Sequence, residues 1–171
     1  EKYRIYVGCY PNDHASIAEV MRAARFDQAI RLVICSDPGP TTKADCLNRL
    51  WHALLSDELK DGTKAKAIIL HDAEDMVHPA ALAVMDRALA EVDFVQLPVR
   101  PEPQPASLWI AGHYSDEFTE AHAKSLVVRD ALGAAIPAAG VGCGFSREAL
   151  ASLARLRMAS GEAGPFASEC L

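Results

Sequence analysis

The first hundred residues alternate between runs that suit a strand and runs that suit a helix, and this alternation constrains the fold more than any other feature. Tyr3 to Tyr10, Ile30 to Cys35, Ala65 to Leu70 and Asp93 to Val99 are short, rich in β-branched or apolar residues, and bounded by turn formers. Between them, Ala15 to Phe26, Thr42 to Glu58 and Pro79 to Glu91 carry apolar residues at helical spacing, such as Leu47, Leu50, Trp51, Leu54 and Leu55. Asn12 or Asp13 is placed to cap the first helix, and Pro79 suits the first turn of the third. Strand–helix–strand alternation implies right-handed crossovers and an α/β fold with a mostly parallel sheet and helices on both faces. Ligands of such sheets sit at the carboxyl ends of strands. Asp13, the loop Ser36 to Thr42 and the segment Asp72 to Asp75 all follow strand ends, so they are expected on one edge.

After Val99 the pattern changes. Arg100 to Pro105 reads as an extended proline-rich linker. Ser107 to Asp130 reads as one long helix or two short ones, Pro137 to Phe145 as Gly-rich and irregular, and Arg147 to Arg157 as a helix. The tail Ala159 to Leu171 is small and loop-like, and no internal repeat or second core is visible. The expectation is a single domain over 1–171, with residues 1–99 as one half and 106–171 as the other.

Composition matters here chiefly for what it excludes. The net charge of −6 over 171 residues argues against a general nucleic-acid binder, though not against a phosphate compound held by a local cation. Five cysteines at 9, 35, 46, 143 and 170 show no Cys-x-x-Cys spacing, so they read as free buried thiols rather than a zinc site. No apolar run approaches the roughly 20 residues of a membrane span, and the chain opens on a strand with no signal peptide.

Asp72, Glu74 and Asp75 crowd three carboxylates into four residues at the end of a buried strand. Close carboxylates repel unless a cation sits between them, and hard oxygen donors suit Mg²⁺ or Mn²⁺. Alternate residues of an extended strand end project alike, which assigns Asp72 and Glu74 to one ion. A solvated turn whose acids cap the following helix is the other reading. His71 and His78 flank the cluster, as ligands or bases or as local hydrogen-bonding groups. Lys43 opens a helix after Gly39-Pro40-Thr41-Thr42, where the helix N-terminus favours anions; an exposed first-turn lysine is the plain alternative. Gly140, Gly142 and Gly144 offer a loop for close approach of a ligand, or a backbone corner with none.

Together these motifs resemble glycosyltransferase family 2. Lys43-Ala44-Asp45-Cys46-Leu47-Asn48 is similar to its Gly-Lys-Ala-x-Ala-Leu-Asn segment. Ile68 to Asp75 with Pro79 is similar to its strand followed by Asp-x-Asp. Gly140 to Leu150 resembles its Gly-rich segment followed by Phe-x-Arg-x-x-Leu. Tyr10 to Asp13, His71 to His78, Val95 to Val99 and Asp116 to Phe118 resemble, more closely, the cytoplasmic glycosyltransferase domain of the phage-adsorption protein B group.

The resemblance implies a GT-A (Rossmann-like) fold and metal-dependent, inverting transfer from a nucleoside diphosphate sugar, a UDP-sugar by family habit, to a glycan acceptor. It implies that Asp72 and Glu74 bind the metal-diphosphate, that Lys43 contacts the nucleotide, that Asp13 contacts the base, and that Gly140, Gly142 and Gly144 line the acceptor side. Glu74 in place of the second Asp lengthens that arm. The family's first strand, its Thr-Glu-Asp segment with the general base, and its Gln-x-x-Arg-Trp segment are not found, so the chain is expected to be a core truncated at both ends and inactive alone. Phe166 to Leu171 looks like the stretch just before Thr-Glu-Asp. Asp116 and Glu117, with Glu120 and His113 nearby, are the substitute acids for the base, or a charged solvated helix face. The expected setting is the cytoplasmic face of the bacterial inner membrane, reached through membrane segments absent from this chain. Nucleotidyl transfer to a sugar phosphate and a non-catalytic nucleotide- or partner-binding module are the rival readings.

Overall fold

A computed structural model describes residues 3–102 and 108–167. In chain order the elements are β1 (Ile5–Cys9), α1 (His14–Ala24), β2 (Ile30–Ile34), α2 (Lys43–Asp61), β3 (Ala67–Leu70), α3 (Ala81–Ala88) and β4 (Phe94–Gln96). Then follow α4 (Leu108–Thr119), a π-helical stretch (Glu120–Ser125), α5 (Leu126–Ala131), β5 (Cys143–Ser146) and α6 (Arg147–Ala159). The chain forms two compact units, Glu1–Ala65 with Glu148–Leu171, and Lys66–Arg147. Part of the proline-rich linker (103–105) and the last four residues of the tail, 168–171, with Cys170, lie outside the described residues.

In the first unit β1 and β2 pair in parallel, from Ile5 opposite Ile30 to Cys9 opposite Ile34, with α1 as the crossover between them. α2 forms because Thr42 and Asp45 make a reciprocal capping box at its start and Gly62, at φ 65°, stops it. Its apolar stripe buries Trp51 against the unit's interior, and Leu150 and Ala154 of α6 are also buried. Burying a side chain the size of Leu150 stabilises a fold by roughly 1.5–3 kcal/mol.

The second unit departs from the expected parallel order. β5 lies between β3 and β4 and runs antiparallel to both, with Leu70 and Gln96 each opposite Cys143. The α/β class stands, but parallel pairing is confined to β1 and β2. The misreading has a physical cause: Cys143–Ser146 contains glycine, which weakens strand propensity, yet the side chains of Leu89 and Met85 leave little room beyond a glycine at Gly144. A Cβ on Gly144 would lie 3.0 Å from Leu89 and 3.4 Å from Met85, which is fully buried. Cys143 is fully buried beside it in the strand.

One helix boundary also differs. Pro79 precedes the third helix instead of opening it, since α3 starts at Ala81 with no side-chain cap. The stretch after the linker is helical from Leu108 to Ala131 as expected, with a π-helical stretch joining α4 to α5.

Candidate functional site

In the first unit, the turn after β1 and the loop after β2 are stitched together. Asn12 Nδ2 donates to the Gly39 carbonyl at 3.0 Å, and the Gly39 N–H donates back to Asn12 Oδ1 at 2.8 Å. The Tyr10 hydroxyl lies 3.2 Å from Thr41 Oγ1 and accepts from the Thr41 N–H at 3.3 Å. These contacts carry the loop to Thr42, where α2 begins, so Lys43 stands exposed in the first turn of a 19-residue helix, close to the carboxyl ends of both strands. A helix N-terminus with a lysine in its first turn favours anions.

Asp13 is held by its own helix. Its Oδ1 accepts from the Ser16 N–H at 3.0 Å and its Oδ2 from the Ser16 hydroxyl at 2.6 Å, capping α1. These hydrogen bonds set its pKa below the ordinary carboxylate value.

In the second unit β3 delivers His71 and Asp72. Asp75 closes the turn: its Oδ2 accepts from the Asp72 N–H at 2.9 Å and lies 3.3 Å from His71 Nδ1, while its N–H donates to the Asp72 carbonyl at 3.2 Å. The three carboxylates therefore divide. Asp75 shapes the turn, Asp72 is half-buried at the strand end, and Glu74 is exposed at its tip. His78 Nδ1 accepts from the Ala80 N–H at 3.1 Å, a local contact at the start of α3.

The glycine segment meets the same end of this sheet. The Gly142 N–H donates to the Leu70 carbonyl at 2.9 Å, and the Gly142 carbonyl accepts from the Leu97 N–H at 2.9 Å. Gln96 braces the loop from within. Its Nε2 donates to the Val141 carbonyl at 2.9 Å, and its Oε1 accepts from the Ala139 N–H at 2.9 Å. Gly140 and Gly142 both have positive φ, which an L side chain resists. Gly144 sits lower, in β5 under α3, where its place is explained by packing.

Asp116 and Glu117 lie on the exposed side of α4. Glu117 Oε1 is 3.5 Å from His113 Nε2, and Glu120 one turn on pairs with Lys124 at 2.7 Å. The buried member of this region is His122, stacked on Phe118 at 5.5 Å in the π-helical stretch, with Nδ1 lacking a hydrogen-bond partner.

Among the described residues no group of three or more His, Cys, Asp or Glu side chains is placed to hold a metal ion. Asp72 and Glu74 offer two carboxylates at this turn, the kind of hard oxygen group that Mg²⁺ and Mn²⁺ take together with water. The structure thus gathers Asp72, Glu74, Gly140 and Gly142 at one sheet end in the second unit, and presents Lys43 and Asp13 from the strand ends of the first. In the sequence Tyr10 and Gln96 stand only inside family-like segments and have no role of their own, whereas in the structure they organise these loops. A polar residue that braces backbone looks the same in sequence as one that faces solvent.

Comparison with known proteins places these features in context. The family described as glycosyltransferase like family 2 matches residues 1–166. Over 154 residues, 90% of this chain, it is 40% identical to "Bacteriophage adsorption protein B" of Escherichia coli (strain K12). It is equally similar to "Bacteriophage N4 adsorption protein B" of Escherichia coli O157:H7. The match spans 20% of the length of each relative. No solved structure matches. No helix among the described residues is long and apolar enough to cross a membrane.

Proposed function

The chain belongs to the glycosyltransferase-like family 2, and from that premise we propose that it binds a nucleoside diphosphate sugar for inverting transfer to a glycan hydroxyl. The observation that carries the proposal is the division of labour in the acidic turn. Asp75 closes it, while Asp72 at the strand end and Glu74 at its tip occupy the Asp-x-Asp positions. Asp72 and Glu74 would hold Mg²⁺ or Mn²⁺. The ion would offset the charge of the departing diphosphate. Lys43 adds a second positive charge for the phosphates at the start of α2.

Asp13 is the candidate contact to the base, and UDP is the nucleotide the reading favours. The Ser16 hydrogen bonds hold the Asp13 carboxyl below the ordinary carboxylate value. The loop braced by Gln96 would border the acceptor, with Gly140 and Gly142 allowing close approach. The longer protein would work at the cytoplasmic face of the inner membrane.

The test is thermal unfolding with UDP and Mn²⁺, separately and together. A ligand that binds only the folded state raises the melting temperature by mass action. A rise that needs both ligands and disappears in Asp72→Asn supports the reading. A rise with UDP alone, unchanged in Asp72→Asn, removes the metal from it. A full-length protein that binds no nucleotide at all would favour the interaction-module alternative.

A further inference from the structure

We propose that the outer edge of β2 is a docking site for an acidic, extended segment of a partner protein, which adds there as a further strand.

The register of the first sheet decides which backbone groups of β2 are already taken. The Cys35 N–H donates to the Cys9 carbonyl at 2.9 Å, and the Ile5 N–H donates to the Ala29 carbonyl at 2.9 Å. Between these bonds the parallel ladder runs unbroken, from Ile5 opposite Ile30 to Cys9 opposite Ile34. Alternate residues of a strand turn their N–H and C=O to the same neighbour. Residues 29, 31, 33 and 35 therefore face β1, and the N–H and C=O of Leu32 and Ile34 face the other way. β2 ends its sheet, so among the described residues no strand meets that edge.

A cavity of about 380 Å³ runs beside this edge, lined by Leu32, Val33 and Ile34 of β2 and by Arg49, His52 and Ala53 of α2. Successive strand side chains alternate between faces, so these three strand residues reach the cavity in different ways. Val33 is opposite Gly8, and a Cβ on Gly8 would meet Cys46 and Leu50, which puts Val33 on the face that α2 covers. Leu32 and Ile34 point to the other face and turn their outward backbone to the cavity. The edge thus offers two donors and two acceptors at strand spacing, with a groove alongside for side chains. Added strands take affinity from such main-chain bonds and specificity from the flanking pockets. Edge strands are commonly blunted by proline, lysine or a bulge. Ile30–Ile34 has none of these, its one charge, Arg31, lies 3.9 Å from Asp57, and Ile34 is 39% exposed.

Charge names the occupant. Arg49 is exposed at the groove and has no ion-pair or hydrogen-bond partner among the described residues. Asp45, one turn earlier in α2, is engaged by the Thr42 N–H, and His52 lies 2.8 Å from the Ala163 carbonyl. A carboxylate on the incoming strand would pair with Arg49. The same cation disfavours a second copy. Edge-to-edge pairing about a twofold axis would lay both α2 helices on one side of the joined sheet, with two Arg49 side chains over the seam.

The probe is the peptide acetyl-Thr-Val-Glu-Val-Glu-Val-Thr-amide, titrated into the purified full-length protein. Calorimetry reads affinity, and residue-resolved hydrogen exchange reads the edge. The expected result is saturable binding with exchange slowed at least fivefold at Leu32 and Ile34. Val33, already bonded to β1, should change less than twofold. Arg49→Glu should weaken binding at least tenfold and favour the peptide with lysine in place of both glutamates. No saturable binding at about 1 mM peptide would overturn the proposal. So would equal slowing at Leu32, Val33 and Ile34, which marks a contact other than an added strand. Equal affinity of the wild-type protein for the acidic and lysine peptides would overturn the acidic assignment. Alternating protection that appears without peptide and grows with protein concentration would put a second copy on the edge and overturn it as well.

Discussion

Gly142 donates its backbone N–H to the carbonyl of Leu70 at 2.9 Å, two residues before Asp72. This bond, at the end of the β3–β5 ladder, joins residues 72 positions apart in the chain and brings the glycine loop to the acidic turn at one end of the β3–β5–β4 sheet. The loop is kept there by Gln96, whose amide bonds to the backbone of both Ala139 and Val141.

Replacing Gln96 with Leu should therefore loosen the loop while preserving side-chain volume. Loss of hydrogen bonds to part-buried backbone groups is expected to cost about 2 kcal/mol. Chemical denaturation measures that loss. Nucleotide affinity should change less than acceptor-dependent turnover, because the bonds brace the glycine segment and not the acidic turn.

Asp72 and Asp75 should separate by mutation. Asp72→Asn leaves the Asp75 bonds that close the turn in place and is expected to remove metal-dependent UDP binding. Asp75→Ala removes the acceptor for the Asp72 N–H and the contact with His71, so it should lower stability by about 1 kcal/mol and weaken binding only indirectly. Paired calorimetric titrations and melting curves check this. Equal losses of binding with no stability change in Asp75→Ala would refute the division of roles.

Burial holds the His122 imidazole below its ordinary pKa of 6.5. As pH falls through 6.5 the unfolded chain takes up a proton first, so the unfolded state binds more protons and stability declines. The contribution is full above that pH and is lost progressively below it, down to the folded-state pKa. Denaturation midpoints between pH 7.5 and 5.5 should fall more steeply in the native protein than in His122→Leu. Parallel slopes would show that His122 does not titrate on unfolding.

The thiols near the strand ends should be inert. Cys35 and Cys46 lie 3.7 Å apart, and the Cys46 thiol is pushed up to about 12 by burial, with Cys35 beside it adding to the rise. Thiolate is the reactive form. Native protein at pH 8 should resist iodoacetamide at Cys46, with labelling after denaturation, as read by peptide mass spectrometry. Rapid native labelling would mean that the turn of α2 opens in solution.

Much of this was legible in the chain itself. Local rules place β1, α1, β2, α2 and β3 nearly where they form, because apolar periodicity and capping residues such as Asp13 and Thr42 act within a few positions. The same rules put Asp13 and Asp72 just after strand ends and Lys43 at a helix start, and the motif likeness to family 2 was visible in the sequence. The tertiary structure alone decided three things. It made Cys143–Ser146 a central antiparallel strand, because contact with α3 and two flanking strands outweighs the weak propensity of a glycine run. It divided the acids, giving Asp75 to the turn, since hydrogen-bond direction depends on backbone geometry that three adjacent carboxylates do not encode. It turned Asn48 and Gln96 into braces, because a buried amide is specified by partners 118 and about 45 residues away, and no local pattern carries that distance.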